Sequence, residues 1–317
     1  MNEFSLIDRY FKSLPIKRPD VLLGIGDDAA CLQTPKGMNL IVSTDTLVSG
    51  VHFLPEWDAY DIAYKAVMAN VSDMAAMAAE PCWLTLALTL PELNEQWLES
   101  FRRGLSEALN QFNIDLVGGD TTKGALTITM TIMGFAPSNQ IVRRDGAKSG
   151  DVILVSGALG AAALAVSFLN KQGIVPSDRA LLMDALLHPK PRVDLVHLLR
   201  LYATAAIDIS DGLSADLDHI CTASGLGACI NRNAIPLHSL LPVYLGDKAV
   251  DLALTGGDDY ELCFTVPALK LDSFMSEMKQ AGMVCYPIGH MEPQPGLRIR
   301  MEDNRCDAIT PGGYVHF

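Results

Sequence analysis

Apolar residues recur along this chain in two rhythms, and the alternation between them sets out its elements. Phe4, Ile7, Phe11 and Leu14 fall at helical spacing, with Asp8, Arg9 and Lys12 between them. Val21-Leu22-Leu23 and MNLIVSTDTL (38–47) predict strands. DAYDIAYKAVMANVSDMAAMAAE (58–80) has helical periodicity, and Pro81 is expected to end it. WLTLALTL (83–90) predicts a strand closed by Pro91, and NEQWLESFRRGLSEALNQF (94–112) a second long helix. IDLVGGD (114–120) and ALTITMTIMGF (125–135) predict strands flanking a glycine turn.

APSNQIVRRDGAKSGD (136–151) breaks the pattern with Pro, Ser, Gly and charge, as a linker or crossing loop does. The pattern then restarts with DVILVSGALGAAALAVSFL, which predicts a strand, a glycine turn and a helix. SDRALLMDALLHP predicts a helix, TAAIDIS a strand, DGLSADLDHICTAS a helix and YELCFTV a strand, with further strands and one more helix after them. The expected fold class is α/β in two domains: an N-terminal α/β domain over residues 1–137, a linker over 138–150, and a C-terminal α/β domain over 151–317. No period of 20–50 residues recurs, which excludes a solenoid.

A chain of 317 residues, 49% hydrophobic and 19% charged, has the profile of a soluble globular protein. Its net charge of −13 argues against a general nucleic-acid binder, which needs a basic surface. The seven cysteines form no Cys-x-x-Cys and sit mostly in apolar surroundings, so they read as buried thiols of a reducing compartment. The charged first helix is no leader, and GALGAAALAVSFL (157–169) is too short to span a bilayer. A cytoplasmic protein is expected, with no membrane partner.

The familiar nucleotide motifs fail. Gly24-x-Gly26-x-x-Ala29 matches the dinucleotide fingerprint in form, but Pro35 and Gly37 break the chain before the required helix. There is no Walker A sequence, no His-x-x-x-His and no Gly-x-Ser-x-Gly. What stands out is a set of aspartates at strand ends and small-residue turns: Asp27 and Asp28, Asp45, Asp73, Asp120, Asp208 and Asp211, and Asp258 and Asp259. Any one of them can serve as a turn or helix cap. Asp73 is different, because it lies inside an apolar helical segment and needs a partner. Short carboxylates suit magnesium, which prefers hard oxygen ligands, and several such sites suit a polyphosphate.

GIGDDAA, STDTLVSGVHF, NVSDMAAM, GGDTT, AIDISDGLSADL and GGDDYELCF follow one another here in the order and approximate spacing of the thiamine-monophosphate kinases. The resemblance runs from Phe4 to Tyr314. It implies the fold of the aminoimidazole ribonucleotide synthetase and selenophosphate synthetase superfamily, with an N-terminal mixed-sheet domain for ATP and metal. The implied reaction moves the γ-phosphoryl of ATP onto thiamine phosphate, giving thiamine diphosphate and ADP, with several magnesium ions, in a homodimer joined through strands of the first domains. By matching motifs, Asp28, Ser43, Thr44, Asp45, Asp73, Asp120, Asp208 and Asp211 resemble the metal ligands. Gly119, Asp120, Arg144 and Ser210 resemble nucleotide contacts, and Asp45, Asp73, Asp120 and Arg144 the groups that carry transfer. His52, Asp258 and Tyr314 resemble the thiamine-phosphate site, although many relatives have Glu at 258. Another enzyme of the superfamily, or a non-catalytic acidic metal-binding protein, are the alternatives.

Overall fold

The computed structural model describes residues 3–169, 171 and 173–316; the side chains of Glu3 and Phe4, and residue Phe317 of the tail, lie outside the described residues. The chain divides into two compact units, one of Met1–Met74 with Ala79–Asn139 and one of Ala75–Ala78 with Gln140–Phe317.

The first unit carries α1 (Glu3–Tyr10), β1 (Val21–Leu23), β2 (Cys31–Leu32), β3 (Met38–Val48), α2 (Ala59–Ala76), β4 (Glu80–Leu90), α3 (Glu95–Gln111), β5 (Asp115–Lys123) and β6 (Thr127–Pro137). Its main sheet has the order β3-β6-β4-β5, so β3 and β5 are edges. Period-two alternation splits the two faces. Leu84, Leu86, Leu88, Ile128, Met130 and Ile132 form the buried face. On the opposite face Leu40 and Val42 are 45% and 54% exposed. Thr44 and Thr46 pair there, hydroxyl to hydroxyl, with Thr131 and Thr129 at 2.8 and 2.9 Å. The helix α3 is amphipathic and starts where the Asn94 side chain accepts the Trp97 N–H.

Two local expectations are corrected. The helix α2 ends at Ala76, before Pro81, because Ala78 turns the chain at φ 52°. Pro81 instead lies near the start of β4, where the register shifts between Pro81 and Trp83 and the missing N–H is tolerated. GGDTT also does not close the strand predicted over 114–120. It is part of β5, paired in parallel with β4 from Gly118↔Thr85 to Thr122↔Thr89.

The second unit carries β7 (Val152–Val155), α4 (Ala161–Ser167), α5 (Pro176–Leu187), α6 (Val196–Tyr202), β8 (Ala205–Asp208), α7 (Leu213–Ser224), β9 (Gly227–Asn231), α8 (Leu240–Leu245), α9 (Ala249–Thr255), β10 (Leu262–Val266), α10 (Leu271–Gln280), β11 (Tyr286–Glu292), β12 (Gly296–Arg300) and β13 (Cys306–Ile309). They build a sheet of order β13-β12-β9-β11-β7-β10-β8. All neighbours are antiparallel except β12 and β9. Its core packs Leu154, Ala206, Phe264 and Val266 of the sheet against Leu199 and Phe274 of the helices. All seven cysteines are free; Cys31 and Cys306 are exposed and the other five buried. Among the described residues no helix is long and apolar enough to cross a membrane.

Candidate active site

In the first unit the edge strand β3 and the helix α2 bring three of the expected residues together. Ser43 and Asp45 lie in register with the buried Ile132 and Met130, so both face the helical side of the sheet. There the Ser43 Oγ donates to Asp73 Oδ2 at 2.5 Å. Burial, and then the neighbouring Asp73 charge, push the Asp45 carboxyl up to about 6. Two carboxylates held this close repel each other unless a cation joins them, and the Ser43 hydroxyl adds a neutral oxygen beside them. Their all-oxygen, hard donor set fits a magnesium ion. Thr44, next in β3, turns its hydroxyl to the opposite face, onto Thr131.

Asp120 is not brought to that pair within one chain. The register runs Asp120↔Ala87, Ala87↔Thr129 and Thr46↔Thr129, which puts Asp120 on the threonine-rich face and on the far edge strand. Three strand spacings, about 14 Å, separate β5 from β3. Gly119 beside it has φ +151°, and a Cβ there would lie 1.9 Å from the Leu86 carbonyl oxygen. Only glycine lets β5 run this close to β4 in that conformation.

Asp27 and Asp28 are exposed in the turn between β1 and β2, so no burial cost falls on them. The Asp28 N–H bonds Asp27 Oδ1 at 2.9 Å, which makes Asp27 the residue that shapes the turn. His52 follows β3 and folds back onto its end, where its Nδ1 accepts the Val48 N–H at 3.0 Å. The neutral ring therefore carries its proton on Nε2.

In the second unit, Asp208, Ser210, Asp211, Asp258 and Tyr314 converge. Asp208 closes β8 and is buried. The Asp258 N–H donates to the Ser210 carbonyl at 2.8 Å and the Tyr260 N–H to that of Ile209 at 2.9 Å. The Tyr314 N–H donates to the Asp211 carbonyl at 3.0 Å. Ser214 Oγ donates to the Gly312 carbonyl at 2.7 Å and accepts the Gly312 N–H at 3.1 Å. The glycine pair before Tyr314 reads from sequence as a flexible approach, and this is corrected. It is a docked segment, in which a Cβ on Gly313 would lie 2.8 Å from the Asp211 carbonyl. Asp258 adopts φ 69°, a left-handed conformation that Asp tolerates better than most residues.

Arg144 stands apart from this group within the unit. It lies on a 3-10 turn whose carbonyl accepts from Ser224 Oγ, at the C-terminal end of α7. The Ser210 loop is at the other end of that twelve-residue helix, roughly 18 Å away.

Sequence reasoning missed two supporting groups, Asp216 and Glu261, and left the role of a third, Asp259, open. Asp216, in the first turn of α7, holds the Ser210–Gly212 loop by accepting three backbone N–H groups. Burial, outweighing those bonds, and the nearby Asp211 push its carboxyl up to about 6. Asp259, whose role the motif alone leaves open, takes the Gly160 N–H on both oxygens at 2.9 and 3.0 Å, and burial drives its carboxyl well above the usual range. Glu261 accepts from Ser156 Oγ and from Arg192 Nη1, the latter at 3.0 Å. The spacing of Asp216 from Asp211, one helical turn after a Ser-Asp-Gly turn, is the one signal that marks it in sequence.

The chain matches the family models of AIR synthase related proteins, the N-terminal domain over residues 26–136 and the C-terminal domain over 148–302. It is 46% identical to the thiamine-monophosphate kinase of Salmonella typhimurium, covering 99% of this chain and 98% of that one. It is 45% identical, with the same coverage, to that of Escherichia coli. A crystal structure of the thiamine-monophosphate kinase from Stenotrophomonas maltophilia superposes with a TM-score of 0.86 at 44% identity, covering 94% of this chain and 96% of that one. The complex of AaThiL with AMPPCP and TMP superposes at 0.80 with 33% identity, over 99% and 97% of the two chains. Full-length likeness at this level, and family matches in both halves, join the paired carboxylates of β3 and α2 in one conclusion: the chain belongs to the thiamine-monophosphate kinase family of AIR synthase related proteins.

Proposed function

We propose that this chain transfers the γ-phosphoryl of ATP directly to thiamine phosphate, yielding thiamine diphosphate and ADP, in the reducing cytoplasm that its free thiols support. The observation that carries the reading is the Asp45–Asp73 pair with Ser43, a carboxylate set that calls for a divalent cation, in a chain so similar to these kinases. Ser43, Asp45 and Asp73 would hold magnesium together; Asp28, Thr44, Asp120, Asp208 and Asp211 are carried as magnesium ligands by the family resemblance, Thr44 and Asp120 in spite of facing away from that group. Bound magnesium supplies charge neutralisation for the polyphosphate. By the family resemblance Gly119 in the first unit, and Ser210 and the exposed Arg144 in the second, are each assigned to the nucleotide, Arg144 to offset phosphate charge. By the same resemblance His52 in the first unit, whose Nε2 carries the proton, and Asp258 and Tyr314 in the second, are each assigned to thiamine phosphate, His52 as a donor to its phosphate. A phosphate monoester is already mostly ionised near neutral pH, so transfer needs alignment and charge compensation and no general base.

Chromatography of the products should show thiamine diphosphate and ADP in equal amounts, dependent on magnesium and on thiamine phosphate. Free phosphate alone would sink the reading. In the same assay His52→Ala and Tyr314→Ala should each raise KM for thiamine phosphate while leaving that for ATP nearly unchanged. The Tyr314 ring, 48% exposed, offers stacking and cation–π contact to a cationic aromatic, about 0.5–2 kcal/mol or up to roughly 30-fold in KM. Equal weakening of both substrates would remove these assignments.

The homodimer is part of the proposal. The threonine-rich face with exposed Leu40 and Val42, and the open edge of β3, offer apolar side chains and unpaired strand groups to a second copy. Asp120 lies on that same face, so pairing through it would bring a carboxylate of each copy to the interface. Light scattering at micromolar concentration should report twice the 34.2 kDa chain mass, and a monomer would remove the dimer claim.

A further inference from the structure

The loop Ile209-Ser210-Asp211-Gly212 carries its proposed ligands on a backbone that lies between β8 and α7 and belongs to neither. Three successive N–H groups there, of Ser210, Asp211 and Gly212, all point to a single atom, Asp216 Oδ2, at 3.1, 3.1 and 3.0 Å. Backbone N–H groups that converge in this way ordinarily cradle an anion supplied from outside. Here the chain supplies the anion itself, from one turn inside the helix that follows. Asp216 is 2% exposed, so that oxygen is not shared with bulk water. The opposite side of the loop is pinned by the Asp258 N–H on the Ser210 carbonyl and the Tyr314 N–H on the Asp211 carbonyl. The N–H groups of Ser210, Asp211 and Gly212 are thus all turned to Asp216, and the loop is gripped from both sides.

We propose that Asp216 is a positioning residue for phosphoryl transfer: it fixes the backbone from which Ser210 and Asp211 project, and so sets the geometry in which Asp211 presents its carboxylate to the metal and Ser210 its hydroxyl to the nucleotide. This rests on the kinase reading above. The role belongs to the acceptor oxygen, and Asn supplies one of the same reach.

The test uses the full-length chain and two readouts. One is turnover with ATP and thiamine phosphate. The other is Mn2+ affinity, followed by the electron paramagnetic resonance signal of free Mn2+ in the presence of a non-hydrolysable ATP analogue. Asp216→Ala should lower kcat and weaken Mn2+ binding by about 10–100-fold, the range for residues that orient metal ligands, with KM for thiamine phosphate little changed. Asp216→Asn should recover most of both losses, because its carbonyl oxygen accepts the same three N–H groups. Thermal scans establish that each variant is folded at the assay temperature.

If Asp216→Ala lowers only the melting temperature, and kcat per folded molecule and Mn2+ affinity hold, the residue is merely structural and the proposal falls. If Asn is as damaging as Ala, the charge itself acts, on the metal, and the proposal falls as well. A native chain that makes no thiamine diphosphate would overturn the kinase reading, while the Mn2+ titration of the two variants would still decide the role of Asp216.

Discussion

Asp45→Asn should cost the chain most of its turnover and, without metal, make it more stable. The two effects share one cause. The Asp45 carboxyl is pushed up to about 6 by burial and by Asp73, from an ordinary value of 3.8. A carboxyl with a raised folded-state value holds its proton longer in the folded chain than in the unfolded one. Stability therefore falls as pH rises between about 4 and 6, and stays reduced above that window. Half-burial and solvent screening reduce the effect to roughly 1–2 kcal/mol. Asparagine keeps the shape and removes the repulsion, so at pH 7 in a chelator the variant should melt higher than the parent, and at pH 4 the two should coincide. Excess magnesium should narrow the difference at pH 7. Turnover moves the other way, by about 10²–10³-fold, as when a key electrostatic group is lost. Near-parental rates at saturating magnesium, or a variant less stable at pH 7 in chelator, would remove Asp45 from the metal set.

Arg192→Ala should produce the largest loss of stability. The guanidinium is mostly buried, and its Nη1 donates to the Ser156 carbonyl at 2.7 Å and to Glu261 Oε2 at 3.0 Å. Its Nε reaches Asp194 Oδ1 at 3.2 Å. Burial already raises the Glu261 carboxyl above its usual range, against the lowering influence of Arg192. Alanine would leave that carboxylate buried, beside Asp259, with no cation. Breaking a buried pair from one side costs about 3–5 kcal/mol. Urea unfolding at pH 7 should show this loss, and part of it should return in mild acid as Glu261 takes up a proton. Lysine should restore little, since one ammonium cannot reproduce the fork to a carbonyl and two carboxylates. A loss under about 1 kcal/mol would mean that Glu261 finds water or a proton at no cost.

The group proposed to bind metal was legible because of where one residue falls. Asp73 sits among alanines, valines and methionines at helical spacing, and an unpartnered carboxylate there is unreasonable. The Ser43 hydroxyl, and a cation that Asp73 would share with Asp45, answer it. Other parts were not legible, for identifiable reasons. Gly118-Gly119 falls in the strand predicted over 114–120, but the reason for glycine at 119 lies outside that stretch, in the approach of the Leu86 carbonyl from a strand more than thirty residues earlier. Gly312-Gly313 misleads: it reads as slack and is a close contact with the Asp211 loop. Asp216 looks like an acidic residue in the first turn of a helix, a common and unremarked pattern, and only the folded loop aims three N–H groups at it. The separation of Asp120 from Asp45 depends on strand order, which no local pattern encodes.

The distribution of the thiols gives this chain a spectroscopic handle of its own. Burial pushes Cys82 and Cys221 up to about 12 and Cys285 to about 11, and Cys263 further still, so these hold their protons and react slowly with electrophiles. Cys31 and Cys306 are the exposed ones. With Cys306 replaced by serine, a maleimide fluorophore should attach at Cys31 alone. That position is three residues past Asp28, in the strand leaving the Asp27–Asp28 turn. A dye there would report the arrival of a cation at the turn as a change in emission, with no need for turnover.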